Sequence, residues 1–171
     1  MTVFTDIPHD AFVAAVHALA QQLADDVWKP DFIIGIGRGG LAPAVYLSHA
    51  TGLPMLSVDY SSQVKDFADE PLVKLAGRSR AGERLLFLDD INDSGRTIAH
   101  LRGALRAAEA VPGSIRFATL IDNLSSAERV EYCARTIDRT VTKDWFVFPW
   151  EAVAPAESLA DDAAAVPERI A

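Results

Sequence analysis

Two kinds of hydrophobic pattern alternate along the chain. Short apolar runs at 31–37, 55–60, 85–88 and 115–121 predict buried strands. Between them, apolar residues recur every three or four positions, which predicts amphipathic helices. Because strands and helices alternate, the pattern predicts an α/β fold: a mainly parallel, twisted sheet with helices on both faces.

Proline and glycine mark where the predicted helices end. The first helix begins near Asp10 and stops before Pro30. A second begins at Leu41 and ends at Gly52, and a third follows Thr97. The apolar positions of the first helix are Phe12, Val16, Leu19, Leu23 and Val27.

The pattern is weaker in five segments. Residues 61–83 are largely polar and are interrupted by proline and glycine, which is typical of a solvated hairpin. Residues 125–135 fit either a short helix or an irregular segment. Residues 136–138 and 140–142 favour strands. The alanine-rich tail, 155–171, fits a surface helix.

Length and charge narrow the functional classes. The chain has 171 residues, enough for one domain with a sizeable core. Its net charge of −8 argues against nonspecific binding to nucleic acid or to an anionic membrane. The single cysteine excludes an internal disulfide, and no apolar run is long enough for a membrane span. The N-terminus lacks a signal-peptide pattern, so we expect a cytoplasmic protein.

The richest chemistry follows the strand at 85–88. Asp89 and Asp90 end the apolar run, and the segment 93–97, Asp-Ser-Gly-Arg-Thr, leads into a helix. A helix N-terminus has unpaired N–H groups that suit a phosphate. Ser94 and Thr97 add hydroxyl donors, and Gly95 permits close approach of the backbone.

Carboxylates would repel the phosphate that such a loop binds. Asp89 and Asp90 must therefore face something else, such as sugar hydroxyls, a metal ion or a proton. The alternative is a solvated acidic turn in which Asp93 or Ser94 caps the helix. A cap accounts for one acidic residue, but it leaves Asp89 and Asp90 unexplained.

A second strand–loop–helix carries the glycines of Gly37-Arg38-Gly39-Gly40. It is not a dinucleotide-binding fingerprint, because arginine follows the G-x-G and no convincing acidic partner lies about 20 residues further on. The alternative to a ligand-binding role for Arg38 is a surface arginine at a helix start.

The segment from Leu85 to Thr97 resembles the binding motif of the type I phosphoribosyltransferases, and the chain resembles the purine-salvage members most. That motif has four apolar residues, two acidic, two variable, then Asp-Thr/Ser-Gly-x-Thr, and every position matches. The resemblance spans about 30–151. It implies transfer of the 5-phosphoribosyl group from phosphoribosyl pyrophosphate (PRPP) to a nucleobase, with release of pyrophosphate.

The resemblance also implies an organisation and partners. We expect one phosphoribosyltransferase domain over 1–171, a small hood contributed by the part from about 136 on, and Mg²⁺ as cofactor. Substrates would be PRPP and a nucleobase, with neither nucleic acid nor membrane as a partner. Family members are commonly dimers or tetramers, so we expect a homo-oligomer.

Roles carry over to the matching motif positions. Asp89 and Asp90 would hold the ribose 2′ and 3′ hydroxyls and magnesium. Asp93 would lie near the base and act as general base toward a ring nitrogen. The 5′-phosphate would bind the backbone amides and hydroxyls of Ser94, Gly95, Arg96 and Thr97.

The glycine loop at 37–40 resembles the family's pyrophosphate loop. Arg38 would supply charge and Gly39 backbone N–H donors. Such loops often carry a non-proline cis peptide, so we expect one at Gly37–Arg38 despite a cost of roughly 3 kcal/mol. In the family, the region corresponding to 61–83 holds a mobile loop that closes over the site.

The aromatic segment near the C-terminus resembles the end of the nucleobase pocket in purine-salvage enzymes. By that match Trp145 stacks on the base, backbone groups near Phe146 read its edge, and Glu151 lies near a magnesium-bound water. The alternative is that Trp145, Phe148 and Trp150 are core residues under a hood.

Two departures from the purine pattern bear on the base. The family's lysine after the fourth strand is absent around Asp122-Asn123, and Val147 stands where guanine- and xanthine-using bacterial members have an acidic residue. We therefore expect a 6-oxopurine, with hypoxanthine favoured over guanine. Lys143 or Asn123 are the candidates to substitute for the missing groups.

The alternative function is a regulator of the same fold that binds PRPP or a nucleotide without catalysis. The retention of Asp93 and Arg38 favours catalysis, because a regulator needs only affinity. Arg96, Arg102 and Arg106 recur at near-helical spacing, which fits a solvated helix face better than a nucleic-acid surface.

Overall fold

The computed structural model describes residues 2–60 and 69–165, and these form an α/β fold with a mainly parallel sheet. The elements, in chain order, are β1 (Phe4–Asp6), α1 (His9–Asp25), β2 (Phe32–Ile36), α2 (Gly37–Thr51), β3 (Met55–Val58), α3 (Asp69–Arg80), β4 (Leu85–Asn92), α4 (Arg96–Ala107), β5 (Ile115–Asn123), β6 (Tyr132–Ile137), β7 (Trp145–Val147) and α5 (Ala156–Ala164).

The main sheet has five parallel strands in the order β3-β2-β4-β5-β6. From β2 the chain runs outward to β3, then returns to β4 on the other side of β2. The connections therefore diverge between β2 and β4. Such a topological switch point opens a crevice at the carboxyl ends of the strands, where open α/β sheets bind ligands.

Two apolar cores cover the two faces of the sheet, as the predicted fold class requires. Along β4, Leu86 and Leu88 pack toward α1 and α2, whereas Leu85 and Phe87 pack toward α3 and α4. All four are fully buried. A strand covered on both faces reads as a continuous apolar run, which is the pattern found in the sequence.

A separate two-stranded sheet joins distant parts of the chain. β1 pairs in parallel with β7, and Thr5 lies opposite Phe146. The Thr5 hydroxyl also donates to a carboxylate oxygen of Asp144. The helix α5 then covers one face of β7, where Ala163 packs with Trp145 and Val147.

The structure corrects several local predictions. Residues 69–80 form the helix α3 rather than part of a hairpin, with buried residues at helical spacing. The segment 125–131 is irregular, and β6 begins at Tyr132. Residues 140–142 form a turn rather than a strand, and α2 begins at Gly37 rather than at Leu41.

In the described part of the chain, no helix is both long and apolar enough to cross a membrane.

Candidate active site

The acidic pair lies at the carboxyl end of β4, beside the switch point. Asp89 and Asp90 are half-buried, and each carboxylate accepts a backbone N–H. The Asp89 Oδ1 atom lies 3.0 Å from the amide N of Asp90, and the Asp90 Oδ1 atom lies 2.6 Å from the amide N of Ile91. These bonds fix both carboxylates at the end of the strand.

The turn between β4 and α4 depends on Gly95. Its φ is +86°, in the left-handed region that favours glycine. A Cβ atom there would also lie 2.7 Å from the amide N of Glu128. The turn places Ser94 and Thr97 at the N-terminus of α4, where an anion would meet the N–H groups of the first helical turn.

The start of α2 packs directly against the end of β4. A Cβ atom at Gly40 would lie 2.1 Å from the carbonyl O of Leu88, and one at Gly39 would lie 2.5 Å from Asp90 Oδ2. Arg38 is exposed on the first turn of α2. The two glycine-containing loops therefore meet at the switch point.

The predicted cis peptide at Gly37–Arg38 is wrong, because no peptide bond among the described residues is cis. The chain turns from β2 into α2 through Gly37 instead, whose φ is +51°. A Cβ atom at Gly37 would lie 2.2 Å from the carbonyl O of Tyr60, so glycine is required for space as well as for conformation.

A cleft with a volume of about 90 Å³ opens at this end of the sheet. It joins motif residues from β4 and α4 to aromatic and acidic residues from β7 and the segment after it. The lining residues are Asp89, Asp90, Ile91, Thr97, Arg139, Trp145, Phe146, Phe148 and Glu151.

The aromatic side of the cleft is built on β7. Trp145 and Val147 pack with Ala163 of α5, whereas Phe146 belongs to the core beneath the sheet. The guanidinium carbon of Arg139 lies 5.3 Å from the centroid of the Phe146 ring, within the range of a cation–π contact. Trp145 is 8% exposed, as expected of a core residue, and it also borders the cleft.

Asp93 does not line the cleft but lies behind it. It is 4% exposed and is held by Arg139, which is 7% exposed. Arg139 Nε lies 3.0 and 3.1 Å from the two carboxylate oxygens, and Arg139 Nη2 lies 2.8 Å from Oδ2. This buried ion pair holds the two side chains in one orientation, because bidentate arginine–carboxylate pairs combine charge with fixed geometry.

Arg139 is a site residue that sequence reasoning missed. It follows β6 in a segment rich in threonine, and neither spacing nor a motif distinguishes it from a surface arginine. Its partner Asp93 is 46 residues away along the chain. Only the fold brings the two together.

A layer of buried amides supports the loop that contains Asp93. Asn123 Nδ2 donates to the carbonyl O of Asp93 at 3.0 Å, and Asn123 Oδ1 accepts from the amide N of Arg139 at 3.2 Å. Asn92 Nδ2 donates to Asp122 Oδ1 at 2.7 Å. Asn123 thus supports the loop that contains Asp93 and, like Asp93, is not among the residues that line the cleft.

Three carboxylates of the cleft are candidate magnesium ligands: Asp89, Asp90 and Glu151. Glu151 Oε2 accepts the amide N–H of Phe148 at 2.9 Å, which holds it beside β7. Within residues 2–60 and 69–165, no group of three His, Cys, Asp or Glu side chains is arranged to hold a metal. Carboxylate oxygens fit magnesium, which binds through one or two carboxylates together with water and substrate phosphates.

The structure thus brings six predicted site residues into one cleft, namely Asp89, Asp90, Thr97, Trp145, Phe146 and Glu151. Gly39 lies against the side chain of Asp90, which is one of the six. Ser94 and Gly95 lie in the turn that precedes Thr97. Arg38 and Arg96 are exposed at the starts of α2 and α4, outside the lining.

Tyr60 lies at the edge of this region, where its ring stacks on that of His100 with centroids 4.7 Å apart. Burial raises the pKa of its hydroxyl, and the nearby positive charge of Arg96 partly offsets this. The polar part of the expected mobile loop, 61–68, lies outside the described residues.

Comparison with known proteins agrees with this fold. Residues 6–155 match the family model described as a phosphoribosyl transferase domain. A purine phosphoribosyltransferase from Pyrococcus horikoshii Ot3 is 26% identical, over 89% of this chain and 97% of that one, with a TM-score of 0.64.

Two further solved structures share the fold. A hypothetical protein from Neisseria gonorrhoeae with bound ppGpp is 22% identical, over 96% of this chain and 98% of that one, with a TM-score of 0.71. The Helicobacter pylori xanthine-guanine-hypoxanthine phosphoribosyltransferase is 17% identical, over 94% and 99%, with a TM-score of 0.66.

Proposed function

The chain belongs to the phosphoribosyltransferase family, and from this premise we propose that it transfers the 5-phosphoribosyl group of PRPP to a 6-oxopurine and releases pyrophosphate. The cleft carries the proposal. It combines Asp89, Asp90 and Thr97 of the binding motif with Trp145 and Phe146 of β7. A sugar phosphate and a flat base must be held together for this reaction, and the cleft offers polar groups for one and aromatic rings for the other.

In this proposal the motif binds the phosphoribosyl group. Ser94, Thr97 and the backbone amides at the start of α4, including those of Gly95 and Arg96, take the 5′-phosphate. Asp89 and Asp90 hold the ribose hydroxyls. Their negative charge also stabilises the cationic ribose carbon that develops as the bond to pyrophosphate breaks.

Pyrophosphate leaves toward the start of α2. Arg38 supplies positive charge there, and the glycine at 39 leaves its backbone N–H accessible. Bound magnesium, held by Asp89 and Asp90 with Glu151 reaching a coordinated water, would neutralise part of the charge on the leaving group.

Asp93 is proposed as the catalytic residue that receives the proton of the attacking base's ring nitrogen. Its position behind the cleft places a limit on this role. Arg139 engages both carboxylate oxygens, so the ring nitrogen must share one of them with the guanidinium. Asp93 and Arg139 therefore have to act together in the proton transfer.

Hypoxanthine is the proposed base in preference to guanine. The side chain at 147 is an apolar valine, 5% exposed, which packs with Trp145 and Ala163. It offers no acceptor for the 2-amino group of guanine. The stacking partner proposed for the base is Trp145, with backbone groups near Phe146 reading its edge.

We also propose that residues 1–171 act as one domain whose hood is the part from about 136 on, and that the protein assembles as a dimer or tetramer. The sheet formed by β7 with β1 and the helix α5 support the hood. Sedimentation of the purified protein would test the assembly, and a monomer at micromolar concentration would contradict it.

Release of pyrophosphate from PRPP and magnesium tests the function. The panel of bases is hypoxanthine, guanine, xanthine, adenine, uracil and orotate. We expect release that depends on an added 6-oxopurine and is fastest with hypoxanthine. A clear preference for guanine would contradict the interpretation of Val147. Binding of PRPP without release for any base would instead favour the regulatory alternative.

A further inference from the structure

Arg139 makes an unusually complete set of contacts for a buried cation. Besides its three bonds to Asp93, its Nη1 atom donates to the carbonyl O of Asp144 at 2.7 Å and to that of Thr142 at 3.2 Å. Its guanidinium carbon lies 5.3 Å from the centroid of the Phe146 ring. A charge at this depth is tolerated only when it is paired and hydrogen-bonded, and here both conditions hold.

These contacts connect two parts of the cleft that belong to distant segments. Asp93 is on the loop between β4 and α4, which carries the phosphate-binding residues. Thr142 and Asp144 immediately precede β7, which carries Trp145 and Phe146. The Arg139 side chain therefore fixes the position of the motif loop relative to β7, and it also borders the cleft.

We propose that Arg139 is a positioning residue for phosphoribosyl transfer, acting through Asp93. It holds the Asp93 carboxylate in one orientation and fixes that carboxylate relative to β7, so that the base and the ribose meet in a reactive geometry. This rests on the proposed function of the cleft. Lysine would not replace it, because a point charge cannot bond two carboxylate oxygens and two carbonyls in one plane.

A purely structural ion pair is the competing explanation. It predicts that loss of Arg139 lowers stability but leaves the kinetics of the folded enzyme unchanged. A positioning role predicts that the effect on turnover exists only while Asp93 is present. A double-mutant cycle separates the two, because it measures coupling between the residues rather than the effect of either alone.

The experiment compares the wild type with Arg139→Gln, Asp93→Asn and the double variant, each assayed well below its unfolding midpoint. We expect Arg139→Gln to lower kcat about 30-fold and to change the KM for PRPP less than about threefold. In the Asp93→Asn background the same substitution should lower kcat less than about threefold. Equal losses in both backgrounds, or an unchanged kcat in folded Arg139→Gln, would overturn the proposal.

Two variants complete the design. Arg139→Lys keeps the charge and is the substitute if Arg139→Gln does not fold; a wild-type kcat in Arg139→Lys would refute the positioning role. Arg116→Gln is the matched control, because Arg116 also bonds a carboxylate, that of Asp26, but lies at the amino end of β5. It should leave kcat unchanged.

Failure of the proposed function has a different signature. If the wild type releases no pyrophosphate with any base, the transferase proposal fails, and the same four proteins are compared by their affinity for inosine 5′-monophosphate. Coupling between residues 139 and 93 in that affinity would retain the positioning role within the cleft. Additive effects would remove it.

Discussion

The Asp90 carboxylate lies directly against Gly39. A Cβ atom at Gly39 would lie 2.5 Å from Oδ2 and 2.8 Å from Cγ of the Asp90 side chain, so any side chain there would have to displace that carboxylate. At the neighbouring Gly40 a Cβ atom would lie 2.1 Å from the carbonyl O of Leu88, so the first turn of α2 and the end of β4 approach each other closely. Two loops with separate proposed tasks, one for pyrophosphate and one for ribose, are packed into a single surface.

Gly39→Ala should therefore impair substrate binding. The new methyl group displaces the Asp90 carboxylate, and we expect the KM for PRPP to rise about tenfold with little loss of secondary structure. Gly103→Ala is the control, because nothing lies within 4 Å of a Cβ at that helical position. It should be neutral or stabilise the protein by up to about 1 kcal/mol. An unchanged KM in Gly39→Ala would show that Asp90 can move without consequence.

Asp93→Ala should lower turnover far more than it changes PRPP affinity. It also leaves the Arg139 guanidinium buried without its carboxylate, which costs about 3 kcal/mol or more of the free energy of unfolding. Urea unfolding and steady-state kinetics measure the two effects separately. Equal losses in kcat and in PRPP affinity would contradict the catalytic role.

Magnesium should be required, and the requirement should depend on the acidic pair. Chelation with EDTA is expected to abolish pyrophosphate release. Asp90→Asn removes one of the proposed negative ligands, so half-maximal activity should need about tenfold more magnesium. Glu83→Gln is a suitable comparison, since Glu83 pairs with Arg78 away from the cleft. A magnesium dependence identical to that of the wild type in Asp90→Asn would place the ion elsewhere.

Stability in acid should depend on Asp26, at the opposite end of the sheet. The amide of Trp28, the hydroxyl of Tyr132 and Arg116 lower the pKa of this carboxyl from 3.8 to about 2. Because the pKa of Asp26 is lower in the folded than in the unfolded protein, this carboxyl stabilises the fold at pH values above its unfolded-state pKa. That contribution is complete above about pH 4 and is lost as the pH falls toward 2.

Asp26→Asn should reduce the loss of stability that occurs between about pH 4 and pH 2. Unfolding midpoints at pH 7, 4, 3 and 2 would show a smaller decrease in the variant than in the wild type. Asp25→Asn is a neighbouring control, since Asp25 lies in the last turn of α1 and is hydrogen-bonded to Gln21. Parallel curves for Asp26→Asn and the wild type would show that other carboxyls control acid unfolding.

Four of the five strands of the main sheet, β2 to β5, could be predicted together with their chemistry because the information is local, whereas β6 begins at Tyr132 in a segment that fitted a short helix or an irregular stretch. An apolar run covered on both faces predicts β4, and the residues directly after it are necessarily at its carboxyl end. The phosphate-binding motif is likewise continuous in sequence. The motif thus predicts that Asp89, Asp90 and Thr97 lie close together, and all three line the cleft.

The helix α3 differs from the predicted hairpin because neither the proline nor the glycine in this segment interrupts it. Pro71 lies in its first turn, where a missing N–H breaks no helical hydrogen bond. The buried positions Leu72, Leu75, Ala76 and Ser79 follow helical spacing. Gly77 does not interrupt them, and a Cβ there would meet only the end of the Arg80 side chain, 3.7 Å away.

β1 and Arg139 could not be found by local reasoning. β1 has three residues and exists because β7 pairs with it, so its own sequence carries no strand signal. Arg139 becomes a site residue only through Asp93 and through two carbonyls that the turn at 140–144 presents. Both are tertiary features, and tertiary context overrides local preference.

The pairing of β1 with β7 has a consequence for the order of assembly. β1 precedes its pairing partners in β7 by 141 residues (Phe4 pairs with Trp145), whereas the five-stranded sheet closes through shorter connections. Contacts between such distant segments form late, because the chain between them must be ordered first. A nascent or refolding chain should therefore build the phosphate-binding side before the aromatic side, and acquire the ability to choose a base as its final step.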